Sequence, residues 1–271
     1  MSTLARRDAP PLPFERAATI ALGDDRTREN VLHATTAIRA RRAAVVADTP
    51  DWPELRTAGA SIRPRSLLRL DELLLRLEAA VTSAGGAVHW ARDAAEANAL
   101  VVGLVGETGA REVVKVKSLT TDELGVNDAL VAAGIDPIET DLAERIVQLA
   151  GERPSHLLVP SLHRGRREIA ELLREALDEP GLSDDAESLL VAARSHLRAA
   201  FLRARVAISG ANFAIAETGT VGVVESEGNG RMCTTLPETL VTVLGIEKVV
   251  EEWRDLGVLM QLLPRSATGS G

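Results

Sequence analysis

From residue 87 to residue 177, short apolar runs alternate with longer stretches of helical spacing, and no other feature of this chain restricts its fold as strongly. Ala87–Trp90, Glu112–Lys117, Ile135–Glu139 and His156–Val159 read as strands, and Asp93–Leu104, Thr121–Ala133, Leu142–Ala150 and Arg166–Leu177 read as the helices between them. Repetition of strand and helix implies an α/β fold, a mostly parallel sheet with helices on both faces. Sheets of this kind take ligands beyond the carboxyl ends of their strands. A long helix, Ala186–Ala204, follows, and the rhythm then changes to successive strands at Arg205–Ile208, Val221–Val224 and Leu240–Leu244. These predict antiparallel C-terminal strands extending the sheet, with Val250–Leu263 as the last helix.

Ahead of the alternating region the chain has a Pro-interrupted start (Pro10, Pro11, Pro13), a helix over Thr27–Ala47, and a break at Asp48–Pro53. Leu67–Ala84 returns to helical spacing, with Leu70, Leu73, Leu74 and Leu77 on one core-facing stripe. The predicted organisation is an extension over residues 1–64, an α/β domain over 65–263 and a polar tail over 264–271. A length of 271 residues with 45% hydrophobic content suffices for a full core. A formal charge of −8 excludes the basic footprint of a nucleic-acid binder. No apolar segment approaches the ~20 residues that span a bilayer, and no apolar signal core follows Arg6, Arg7 and Asp8, so a cytoplasmic location is expected. The lone cysteine, Cys233, excludes an internal disulfide and a Cys-rich zinc site, and no metal is expected.

Four clusters carry candidate chemistry. Lysine is rare, three of 31 basic residues, yet Lys115 and Lys117 lie two apart on a strand and so share a face. The strand runs into Ser118 and a helix start where Thr120 and Glu123 fit a capping box, so that Lys117 and the helix amides suit a carboxylate or phosphate. The second cluster, Asp136–Asp141 with Glu144, gathers carboxylates at a strand end, where Asp141 is placed to cap the next helix. His156 and His163 flank a strand, and His163, beyond its carboxyl end, is the better site candidate. The third cluster is Ser209–Thr220, with Gly210, Asn212, Glu217, Thr218 and Gly219, which reads equally as a binding loop or as tight hairpin turns. The fourth is Glu225–Arg231, where Gly228-Asn-Gly230 reads as a hairpin turn and Arg231 is able to clamp an anion. Asn127, Asn212 and Asn229 all fall in these clusters.

Val88-His-Trp-Ala91, Lys117-Ser-Leu-Thr-Thr-Asp-Glu-Leu-Gly-Val-Asn127, Glu139-Thr-Asp-Leu142, Pro154-Ser-His156, Ser209–Thr220, Glu227-Gly-Asn-Gly-Arg-Met-Cys233 and Gly245-Ile-Glu-Lys248 together resemble the LutB family of lactate-utilisation iron–sulfur proteins, in its LUD domain. The resemblance implies a fold similar to the NagB, RpiA and CoA-transferase group. It also implies a cytoplasmic role in oxidising L-lactate to pyruvate, beside subunits of the LutA and LutC type. Family members carry two [4Fe–4S] clusters in a further Cys-rich region. With one cysteine, this polypeptide is expected to hold no such cofactor and to lack redox activity alone, as a truncated piece or a natural variant.

The residues then support a site for a small anionic ligand. Lys117 and Glu217 are its catalytic candidates, Glu217 as an acid or base in an apolar surround. Lys115, Ser118, Asn127, His163, Asn212, Thr218, Gly219 and Arg231 are its ligand-binding candidates. Asn212 and Glu217 are expected to face Lys117 across one pocket. Two other readings stand beside this one: a non-catalytic interaction or regulatory module, and a CoA- or acyl-transfer enzyme with Glu217 as nucleophile.

Overall fold

A computed structural model describes residues 12–152, 160–161, 163–225, 227–267 and 269. In chain order the elements are α1 (Phe14–Leu22), α2 (Asp25–Ala47), α3 (Trp52–Leu68), α4 (Leu70–Ser83), α5 (Ala94–Glu107), β1 (Glu112–Lys115), α6 (Leu119–Leu124) and α7 (Val126–Ala132). They continue as β2 (Asp136–Glu139), α8 (Leu142–Leu149), α9 (Arg166–Leu177), α10 (Ala186–Arg203), β3 (Val206–Gly210), β4 (Phe213–Ile215) and β5 (Thr220–Gly222). The last are α11 (Asn229–Thr235), β6 (Thr239–Val243), β7 (Val249–Val250) and α12 (Trp253–Ala267). The expected strand His156–Val159 lies outside the described residues. The contacts divide the chain into two units, one of 1–33, 101–209 and 225–241, the other of 34–100, 210–224 and 242–271.

The first unit is built on a four-stranded sheet of order β2-β1-β3-β6. Strand β1 pairs in parallel with β2 (Val114 opposite Ile138) and with β3 (Val114 opposite Ala207). All five residues of β3 are buried, as a central strand covered on both faces requires. Helices α9 and α10 pack through Ala170, Leu173 and Leu189, the apolar stripe of α9 facing inward. The expected α/β architecture with a parallel sheet flanked by helices is present.

The second unit has its own three-stranded sheet, β5-β4-β7. The β4–β5 pair is antiparallel and β4–β7 parallel, so the antiparallel pairing forms a separate sheet instead of extending the first. The leucine stripe of α4 behaves as read: Leu73 and Leu77 are buried against Ala214, Ala216 and Val249, with Leu70 and Leu74 beside them. Ile62 of α3 meets Ile215, Val250 and residues of α12 on the same sheet. Arg65 pairs with Asp255 and Arg69 with Glu251.

Several local expectations are corrected. Ala87–Trp90 is not a strand: it is largely exposed and has no ladder partner among the described residues, and the Trp90 indole N–H donates to Glu78 at 3.2 Å. The helix expected over Thr121–Ala133 breaks into α6 and α7 at Gly125, whose φ of 74° is left-handed. The cap of α6 is Ser118, not Thr120, since its Oγ accepts from the Thr121 N–H at 3.3 Å. Gly228-Asn-Gly230 opens α11 instead of turning a hairpin, because Gly230 and Cys233, one helical turn apart, are both buried. The last helix starts at Trp253, since Val249 and Val250 are taken into β7.

A candidate site at the carboxyl ends of β1 and β2

Parallel strands leave their last carbonyls and the following side chains on one rim, and in the first unit this rim is occupied by polar groups. Lys115 ends β1 and Glu139 ends β2, directly opposite each other in the ladder. The Lys115 ammonium, 1% exposed, donates to Glu139 Oε1 at 2.8 Å and to Asp122 Oδ1 at 3.2 Å. Burial pulls against its charge, yet Glu139 and Asp122 more than offset that and raise its pKa above the ordinary lysine value. Asn127 of α7 donates from Nδ2 to the same Glu139 Oε1 at 2.7 Å. Among the described residues Glu139 Oε2 and Asn127 Oδ1 are buried with no hydrogen-bond partner.

Thr140, the next residue after β2, donates its hydroxyl to the Lys115 carbonyl at 2.8 Å and is approached by Asn229 Nδ2 at 3.4 Å. Cys233 Sγ lies 3.7 Å from the same hydroxyl, and burial pushes its thiol up to about 11, so it is an inert packing group here. Asp141 caps α8 as expected, accepting from the Glu144 N–H at 3.1 Å. Glu144 and Lys117 face each other at 3.6 Å, the lysine side chain 20% exposed and the glutamate nearly buried. Desolvation, reinforced by Glu139 and Asp122 and opposed by Lys117 and Lys115, raises Glu144 to about 7. Glu227 accepts from the Leu142 N–H at 3.3 Å and is also raised, by burial and by Asp141.

The sign of the Glu144 shift fixes a stability effect. A carboxyl that titrates near 4.5 unfolded and about 7 folded keeps its proton in the native state, so its contribution falls as pH rises between those values. The Glu144→Gln variant therefore gains on the wild type between pH 5 and pH 8, by about 1–2 kcal/mol for a carboxyl at a solvent rim. Urea unfolding of both proteins at the two pH values checks this; a gap independent of pH excludes a raised Glu144.

Other candidates have different surroundings. Lys115 is enclosed in its ion pairs and does not share an open face with Lys117. Ser118 uses its hydroxyl as a helix cap. His163 is buried and meets Glu152 at 3.0 Å, and Arg164 clasps the same carboxylate at 2.7 and 3.1 Å. Desolvation opposes ionisation of Glu152, but hydrogen bonds from Arg164 and His163 prevail and hold it below the usual range. Arg231, on α11, is exposed and pairs with Glu225 at 3.4 Å.

In the second unit, Asn212 Oδ1 accepts from the Val224 N–H at 2.8 Å and so holds the strand edge. Ala216–Gly219 is the turn of the β4–β5 hairpin, Gly219 having φ 72°, and the Thr218 hydroxyl donates to that of Thr220 at 2.9 Å. Glu217 is exposed in this turn, not in the apolar surround expected of it. Glu139 and Glu144 stood in the sequence as members of the carboxylate cluster at a strand end, but neither they nor Thr140 and Glu227 were among the expected ligand-binding residues.

An α/β protein with its charged side chains gathered at the carboxyl ends of parallel strands is a ligand-site architecture. The LUD domain family matches residues 74–271, and the chain belongs to that family as a LutB-like member. It is 38% identical over 258 residues to lactate utilization protein B 1 of Bacillus mycoides, covering 95% of this chain and 54% of the relative. Lactate utilization protein B of Bacillus subtilis is 36% identical, with coverage of 94% and 53%. An uncharacterized electron transport protein of Escherichia coli, YkgF, is 42% identical, with coverage of 90% and 51%. The chain thus spans about half the length of these relatives. No solved structure matches significantly.

A [4Fe–4S] cluster takes four thiolate ligands. This chain offers one cysteine, buried and with a raised pKa, so its residues do not fit that group. Among the described residues no helix is long and apolar enough to cross a membrane.

Proposed function

We propose that this chain is the LUD-domain portion of a lactate-utilisation protein of the B type. It acts in the oxidation of L-lactate to pyruvate by binding a small anionic ligand and docking subunits of the LutA and LutC type. The observation that carries this reading is identity of 38% to lactate utilization protein B 1 across 95% of the chain. The rim of β1 and β2 supports the ligand half of it: Lys117 anchors a carboxylate, and Glu144, raised to about 7, is matched to proton exchange near neutral pH. Lys115 and Asn127 hold Glu139 and so set the floor of the site. Helix α1, with Phe14, Ile20 and Leu22 exposed, supports the docking half.

Thermal unfolding with L-lactate tests the ligand reading. Saturation at a hundredfold excess over Kd stabilises the wild type by about 2.7 kcal/mol, and Lys117→Ala abolishes the shift while leaving the unliganded protein folded. A full shift in Lys117→Ala removes Lys117 from the site. Glu217→Gln in the same assay decides whether the β4–β5 turn contributes to ligand binding or serves as a connection alone.

A further inference from the structure

Charge around Lys117 sets a condition on any anion that binds there. Lys115 and Lys117 are the ammonium groups of the rim, and the Arg145 guanidinium also acts on Glu139. The carboxylates acting on them and on one another are Asp122 from α6, Glu139 from β2, Asp141 and Glu144 at the start of α8, and Glu227 ahead of α11. Lys115 is committed to Glu139 and Asp122. A ligand carboxylate at Lys117 thus adds a negative charge where carboxylates already outnumber ammonium groups, and it competes with Glu144 for the same partner at 3.6 Å.

We propose that this site takes a small carboxylate together with one proton. The ligand carboxylate replaces Glu144 as the partner of the Lys117 ammonium, and Glu144 is held as the neutral acid. The proton comes from solvent and returns to it when the ligand leaves, so no other reactant is consumed. This rests on reading the rim as an anion site. It goes further in making proton concentration a second ligand of that site, by the reciprocity that links two binding equilibria. The raised pKa of Glu144, about 7, places the onset: below it the acid is already neutral and no uptake accompanies binding, and above it each pH unit weakens binding about tenfold.

Isothermal calorimetry of the full chain with L-lactate, in HEPES and in Tris at pH 6 and pH 8, reads the proton directly. The expected result is a heat that depends on the buffer at pH 8, equivalent to about one proton taken up per ligand, and that loses this dependence at pH 6. Glu144→Gln binds with equal heats in both buffers and with an affinity flat across the two pH values. Tight binding by wild type with equal heats at pH 8 overturns the proposal and leaves the anion site standing. Buffer-dependent heat that persists in Glu144→Gln also overturns it, by placing the proton elsewhere. Absence of heat at either pH from folded protein overturns both readings.

Discussion

Lys115→Met destabilises the protein by about 3–5 kcal/mol, because it leaves Glu139 buried and charged without its cation. The lysine is 1% exposed and donates to Glu139 and Asp122, so water has no route to replace it. Burial of its four-carbon stem is largely conserved by methionine, which isolates the electrostatic loss from a cavity effect. The companion variant Lys115→Met/Glu139→Gln recovers most of the loss. Its amide oxygen still accepts from Asn127, and it carries no charge that requires Lys115. Urea unfolding measures both. A cost below about 1 kcal/mol for the single variant contradicts a sealed ion pair and assigns Lys115 to solvent.

Gly219→Ala is the second large effect, about 2–4 kcal/mol, and it arises from the backbone. Gly219 has φ 72°, and a Cβ there meets the Val81 backbone nitrogen at 2.7 Å and the Ala80 carbonyl carbon at 2.8 Å. Helix backbone does not yield as a side-chain tip does. Gly125→Ala supplies the comparison: its φ is 74°, yet a Cβ there meets nothing within 4 Å. That variant loses about 1–2 kcal/mol, the left-handed term alone. Equal losses at the two positions, measured by thermal unfolding, rule out a close seat of the turn on α4.

The parallel sheet was legible because its strands and helices repeat with distinct periods, and α9 falls on the residues that the spacing predicts. Trp90 and its neighbours show the limit of that signal. A tetrad such as Ala87-Val-His-Trp90 has strand character by composition, but it forms a strand only where another edge receives it, and pairing is not a local property. Gly228-Asn-Gly230 failed for a related reason. The dipeptides that turn hairpins also start helices, and burial of Cys233 on the helix face decides between them. In the site, sequence found the lysines but set both on one open face. Period-two spacing puts Lys115 and Lys117 on one side, whereas the end of β1 at Lys115 lets the chain redirect Lys117 toward Glu144. Glu144 was read only as the end of a carboxylate run because a glutamate in a helix's first turn is ordinary, and its raised pKa comes from burial, reinforced by Glu139 and Asp122, which only folding brings about.

Strand order bears on how this protein is made. Strand β1 lies between β2, which follows it closely in the chain, and β3, which comes only after α10. As the ribosome releases the polypeptide, β1 and β2 can pair and close the Lys115–Glu139 bridge early. The other edge of β1 then waits, unpaired and apolar at Val113 and Val114, until synthesis passes α10. During that interval the nascent chain presents an open strand edge, the kind of surface that chaperones shield and that neighbouring nascent chains join.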